Sequence, residues 1–319
     1  MALNRRRFLQ NASVLASAYA LGGCRRIFEP QPRTQSGVEL LGSYWTIAGG
    51  AVPASDREYS PFDFRDRVEA LAEGGFSGMG IWHADLDKIL ETYTLRDMKE
   101  ILDDNGIQYF ELEFLMDWFV TDKERRKQSD LQRAKLLKAA EFLSARHIKV
   151  GDFFNTPASL PQVTDAFAGL CTDAANAGTR ILFELMPFSM LTSLKDTLAM
   201  FEGAGAGNGG MMLDTWHIVK LGITNEEVAR IPGRYLLGVE LNDGFLKTPP
   251  GITMQDETTG YRQLCGQGQF DLKGLIAAIK STGFDGPWGV EVLNNELKTW
   301  PLDKIVSRVY ETTMAQFTS

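Results

Sequence analysis

Along this chain one short pattern recurs: an amphipathic stretch of helical period, a glycine or polar stop, then an apolar run that ends in polar residues. Such a pattern encodes a helix that packs on a strand, and its repetition restricts the fold to alternating α and β units around a parallel sheet. The runs are Leu40 to Trp45, Gly78 to Trp82, Ile107 to Phe114, Ile148 to Phe154, Arg180 to Glu184, Met211 to Asp214, Tyr235 to Glu240 and Pro287 to Val292. They are apolar almost throughout rather than alternating, as strands covered on both faces must be. Eight such units predict a (β/α)8 TIM barrel, a single α/β domain over residues 38–319. An open doubly wound sheet would carry a glycine fingerprint between its first strand and first helix, and the sequence has none there. The glycine-rich stretch Gly203 to Gly210 follows a helix and precedes a strand, so it offers no helix N-terminus to a phosphate and reads as a flexible connection.

The first 24 residues have a different grammar. Asn4-Arg5-Arg6-Arg7-Phe8-Leu9 precedes a short apolar run from Ala12 to Gly23, too short to span a bilayer as a helix. This resembles a twin-arginine signal, which implies the Tat export machinery as a partner and an exported, periplasmic destination. The run ends Leu21-Gly22-Gly23-Cys24, similar to a lipoprotein cleavage box with Cys24 as the lipidated residue; plain cleavage near Ala18 or Ala20 is the alternative. Residues 25–37 are polar, contain proline and show no apolar period, which predicts a tether.

Charge narrows the partners. A formal net charge of −8 provides no basic face for a nucleic-acid backbone, and three scattered cysteines (Cys24, Cys171, Cys265) suit neither a disulfide framework nor a thiolate zinc site. The expected partner is a small molecule, with membrane contact only through an anchor at Cys24. Nothing in the sequence bears on oligomeric state.

Barrel enzymes carry their chemistry at the C-terminal ends of strands, and here those ends are rich in acids. Strand five ends in Glu184, strand six in Asp214 with His217 three residues on, strand seven in Glu240 with Asp243, and strand eight in Glu291. Each acid follows an apolar stretch (ILFE, MMLD, LLGVE, PWGVE), so without a partner the carboxylates would repel one another and resist burial. Any one of them alone reads as a strand-end residue paired with a Lys or Arg; four in register point to a divalent cation.

At these residues the chain resembles the xylose isomerase-like barrel superfamily of sugar isomerases and epimerases, with inosose dehydratases and endonuclease IV as relatives. The resemblance covers about residues 38–317 and rests on the Glu184 strand end, Leu213-Asp214-Thr215-Trp216-His217, Val239-Glu240-Leu241-Asn242-Asp243-Gly244, Gly266-Gln267-Gly268-Gln269-Phe270-Asp271 and Gly289-Val290-Glu291. It implies metal ligands at Glu184, Asp214, Glu240 and Glu291, with Glu184 and Glu291 also the catalytic acid/base pair. The family pattern has histidine where this chain has Glu240. An all-carboxylate set favours Mn²⁺ or Mg²⁺ over Zn²⁺, with Co²⁺ a further candidate, and the same exchange opens the alternative that the metal has been lost. Endonuclease IV activity is disfavoured, because its three-zinc site uses more histidines than the three in this chain.

The implied chemistry is proton abstraction next to the carbonyl of a sugar, keto-sugar or cyclitol, giving isomerisation or epimerisation; expulsion of a β leaving group from the same enediolate would give a dehydratase or lyase. A non-catalytic carbohydrate-binding barrel is the alternative of another class. Candidate substrate contacts are His217, Trp45, Trp82, His83, Glu113, Trp118, Asp243 and Arg262, with Asp117 and Trp216 also near the expected rim, whereas His147 reads as structural. The segment Gly244 to Gln269, with Pro249-Pro250-Gly251, suits a lid carrying Arg262. No cluster of arginines or glycine-nested amides marks a phosphate site, so a neutral substrate is expected.

Overall fold

A computed structural model describes residues 37–318; the expected signal and lipobox, and the tether up to residue 36, lie outside them. Eight parallel strands close in sequence order: β1 (Leu40–Gly42), β2 (Gly78–Trp82), β3 (Tyr109–Leu115), β4 (His147–Val150), β5 (Ile181–Glu184), β6 (Gly209–Asp214), β7 (Leu236–Leu241) and β8 (Trp288–Val290), with β1 pairing both β2 and β8. Helices lie between successive strands, as the recurring pattern predicts. Among the described residues no helix is long and apolar enough to cross a membrane.

The period of two along each strand divides its residues between two environments. Ile148 and Val150 of β4, Ile181 and Phe183 of β5, Met211 and Leu213 of β6, and Val239 and Leu241 of β7 join the apolar layer under the helices. Each such burial stabilises the fold by roughly 1.5–3 kcal/mol. Their neighbours Lys149, Glu184, Asp214 and Glu240 point the other way, into the barrel. Glu111 and Glu113 of β3 and His147 of β4 do the same, so this interior is charged where many barrels stack branched aliphatics. Gly80 of β2 makes room for the acids of β3: a Cβ there would lie 2.6 Å from Glu113 Oε1 and 2.7 Å from Glu111 Oε1.

Several boundaries depart from the sequence expectation. β1 stops at Gly42, and Tyr44–Ile47 turns into a short helix that brings Trp45 over the barrel mouth. β4 stops at Val150, leaving residues 151–154 in a loop. The glycine-rich stretch is no loose connection: Gly205 caps the helix Leu194–Ala204 at φ 60°, and Gly209 and Gly210 are ladder residues of β6. Gly209 faces Cys171 so closely that a Cβ would lie 2.5 Å from its sulfur.

Candidate active site

The C-terminal mouth of the barrel opens into a cavity of about 300 Å³, at the small end of ligand sites. Its floor is charged, with Glu113, Lys149, Glu184, His217, Arg262 and Glu291, and its walls are largely aromatic, with Trp45, Trp82, Phe114, Phe153, Phe154 and Phe188. Trp82 is fixed by stacking on Phe114, and its indole N–H donates to Glu58 at 3.2 Å.

The four acids picked out by the sequence converge. Glu184, Asp214, Glu240 and Glu291 each offer an oxygen within 4.8 Å of the others, a spread that a metal ion could bridge. Two buried cations already contact these acids. The Lys149 ammonium lies 2.7 Å from Glu240 Oε1, 3.0 Å from Glu291 Oε1, 3.2 Å from Glu113 Oε2 and 3.9 Å from Glu184 Oε2. The Arg262 guanidinium donates from Nη1 to Asp214 Oδ2 at 2.8 Å and to Glu291 Oε2 at 3.0 Å. It donates from Nη2 to Thr258 Oγ1 at 2.9 Å, and that nitrogen also lies 3.3 Å from His217 Nε2.

The remaining contacts deepen this occupancy. Glu240 Oε1 also accepts from the Ser43 hydroxyl at 2.7 Å, and Asp214 Oδ2 from Asn242 at 2.7 Å. Asp214 Oδ1 caps the helix Thr215–Lys220 by accepting from the His217 N–H at 3.0 Å. An ion at a coordination distance of about 2.1 Å from Glu240 Oε1 would stand within about 5 Å of the ammonium, a repulsion of about 7 kcal/mol at an effective dielectric near 20. At Glu240 Oε1, the oxygen that faces the ammonium, a divalent cation therefore does not fit without displacement of Lys149; Glu240 Oε2 has no hydrogen-bond partner among the described residues.

Electrostatics separates the two proposed proton carriers. Burial would push the Glu184 carboxyl up, but the Lys149 ammonium, the hydrogen bond from His217 and the Arg262 charge outweigh it and hold the group down at about 2. Burial raises Glu291, and Lys149 and Arg262 only partly offset the rise. Glu113 and Glu240 are raised further by burial and by the neighbouring carboxylates Glu111 and Glu291 respectively, while Lys149 among four acids stays an ammonium despite its burial.

Of the other expected residues, His217, Trp45, Trp82, Glu113 and Arg262 line the cavity. Arg262 is not a solvated lid residue. The segment after β7 packs down through the helix Met254–Gly260 and a bridge between Asp243 and Gln263, and Arg262 is buried to 2% exposure. Asp243 holds that segment rather than the substrate: Oδ1 accepts from the Gly244 and Phe270 N–H groups and Oδ2 from the Gly266 N–H. Trp118 lies in the core against Phe119, Phe167 and Phe183, Trp216 donates to buried Glu257, and Asp117 pairs with Arg125. His83 packs against Trp82 with the rings tilted by 36°, outside the cavity lining, and burial pushes its imidazole down to about 4. His147 lies buried outside the cavity lining, 3.0 Å from Glu111.

The sequence reading missed Lys149. Its signal was available in Ile148-Lys149-Val150, a lysine inside a strand whose outer face is wholly apolar, so that its charge has to be met by polar partners on the inner face, where the strand-end acids are. Glu58 was missed as well, and its position in a loop before the first long helix gives no signal at all.

Comparisons with known proteins agree with this fold. A family model described as the xylose isomerase-like TIM barrel matches residues 68–308. The 3-dehydroshikimate dehydratase of Pseudomonas aeruginosa is 24% identical over 242 residues, which are 74% of this chain and 37% of that protein, so the chain spans little more than a third of this curated relative. Among solved structures, the IOLI protein with a bound zinc atom superposes with TM-score 0.76 at 17% identity, over 88% of this chain and 98% of the other. D-allulose 3-epimerase from Methylomonas sp. in complex with D-allulose gives TM-score 0.64 at 18% identity, over 88% and 97%. With eight strands closed in barrel order and the family model matching residues 68–308, the chain belongs to the xylose isomerase-like TIM-barrel family.

Proposed function

We propose that this protein is an enzyme that moves a proton at the carbon next to a carbonyl of a neutral, hydroxylated small molecule (a sugar, keto-sugar or cyclitol), and so epimerises or isomerises it. The observation that carries this reading is the placement of Glu184 and Glu291 on the floor of one aromatic-walled cavity, 3.9 Å and 3.0 Å from the same ammonium. Ionised Glu184 takes the proton, and the electron pair moves onto the carbonyl oxygen, which the Lys149 ammonium steadies as an enediolate. Glu291, whose hold on a proton burial strengthens, returns a proton to the other face of that carbon, or to the neighbouring carbon as the hydroxyl proton passes between the two oxygens. Trp45 and Trp82 offer rings to the C–H face of the substrate.

A second reading is favoured by the likeness to 3-dehydroshikimate dehydratase: the same enediolate expels a β-hydroxyl, with Glu291 donating the proton that lets it leave as water. A Mn²⁺ or Mg²⁺ ion at the four acids, which the family resemblance implies, would first have to move Lys149 aside. Incubation of keto-sugars and inososes in deuterium oxide, read by mass spectrometry together with absorbance for a conjugated product, tests the proposal. Label in the recovered substrate or its epimer supports the first reading, and a conjugated product supports the second. Saturable carbohydrate binding with neither would leave a non-catalytic binding barrel.

The N-terminal sequence supports export to the periplasm through the Tat machinery, with lipidation at Cys24 or plain cleavage near Ala18 or Ala20 as the two forms of the mature N-terminus. Mass spectrometry of the mature N-terminus tests this, since an N-terminus that retains Arg5 to Arg7 is incompatible with it.

A further inference from the structure

Building on the proton-transfer reading above, we infer that this barrel works without a divalent cation, because Lys149 and Arg262 hold permanently the positive charge that a metal supplies at such a rim. The contacts of the four converging acids carry the argument. Glu291 divides its two oxygens between Lys149 and Arg262. Asp214 gives one oxygen to Arg262 and Asn242 and the other to the backbone N–H of His217. Glu240 accepts from Lys149 and Ser43 on the same oxygen. The other oxygen of Glu240 has no hydrogen-bond partner among the described residues, and Glu184 has the looser contacts to the cations, 3.9 Å to Lys149 and 3.3 Å to His217; Glu184 is the group assigned to take the proton.

The departure at Glu240 fits this arrangement. A neutral imidazole there would serve a metal, whereas a carboxylate serves the ammonium, and Glu240 provides the shortest contact Lys149 makes. The two cations come from opposite parts of the barrel, one from β4 and the other from the segment after β7, and both line the cavity. They therefore face the substrate as well as the acids. An ammonium and a guanidinium fixed in a buried site meet developing negative charge on oxygen without solvent rearrangement, which is the electrostatic service of a Lewis acid.

The full chain, stripped with EDTA, is to be titrated with Mn²⁺ and separately with Zn²⁺ by calorimetry, with elemental analysis of gently purified protein alongside. The expected result is less than about 0.1 metal per chain and no saturable heat up to about 1 mM ion. One equivalent of either ion with a dissociation constant below about 10 μM overturns the inference. The double variant K149A/E240H, which removes the ammonium and restores the imidazole, is expected to bind Mn²⁺ or Zn²⁺ at least about tenfold more tightly than the native chain. No gain in a variant whose circular dichroism matches the native chain overturns it too, and the native titration needs no variant to fold. These readouts need no substrate. Absence of deuterium wash-in under every condition sinks the proton-transfer reading and leaves the metal-free site standing, whereas a stoichiometric ion in a protein that washes in label does the reverse.

Discussion

The Lys149 ammonium and Glu240 Oε1 are 2.7 Å apart, and neither side chain has more than 1% of its surface exposed. Breaking such a pair from one side leaves an uncompensated group in a low-dielectric interior, which typically costs 3–5 kcal/mol. K149M is therefore expected to lower stability by about 3 kcal/mol, and K149M/E240Q to recover part of that loss because the orphaned carboxylate has gone. Urea denaturation of the native chain, both singles and the double gives the coupling. Strict additivity would show that the two side chains do not depend on each other.

The acid/base assignment makes a kinetic prediction. E184Q and E291Q keep the shape of the site but cannot exchange a proton, so wash-in is expected to fall by roughly 10²–10⁴ in each, with folding intact by circular dichroism. Native rates in either variant would remove that residue from the mechanism.

The tryptophans separate by location. W82A is expected to weaken substrate binding about tenfold, seen as a raised KM, because it deletes a cavity wall. W118A should leave KM unchanged and instead cost about 3–5 kcal/mol of stability, since Trp118 fills the core against three phenylalanines. The opposite pattern would place Trp118 at the substrate.

His83 links stability to pH. Its folded pKa of about 4 lies below the unfolded value near 6.5, so the native state prefers the neutral ring. The stability that this contributes is fully present above pH 6.5 and is lost as the pH falls from 6.5 towards 4, up to about 3 kcal/mol. Urea midpoints at pH 7 and pH 4.5 should differ less in H83Q than in the native chain; equal differences would deny His83 the role.

How much of the site was legible in the sequence follows from how each residue reaches it. Glu184, Asp214, Glu240 and Glu291 were legible because each follows an apolar strand, and strand ends in a parallel barrel share one rim. Asp243 was assigned to the rim for the same reason, yet its carboxylate turns away to three backbone N–H groups of the following segment. Trp118 and His83 follow strand ends too, and there the alternation of side-chain direction and the turn after the strand decided where each ring points.

The sequence alone determined the eight-fold alternation, the closed parallel sheet and the crowding of acids at one mouth, because strand and helix periods are local, eight such units are a barrel's number, and no glycine fingerprint marks an open sheet. Only the tertiary structure decided what neutralises those acids. Lys149 lies 91 residues from Glu240 and 142 from Glu291, and Arg262 enters from a segment without regular period, so their meeting depends on barrel closure and on how the segment after β7 packs. Charge compensation in a buried site is settled over a few ångströms in space, a distance that spacing along a chain does not encode.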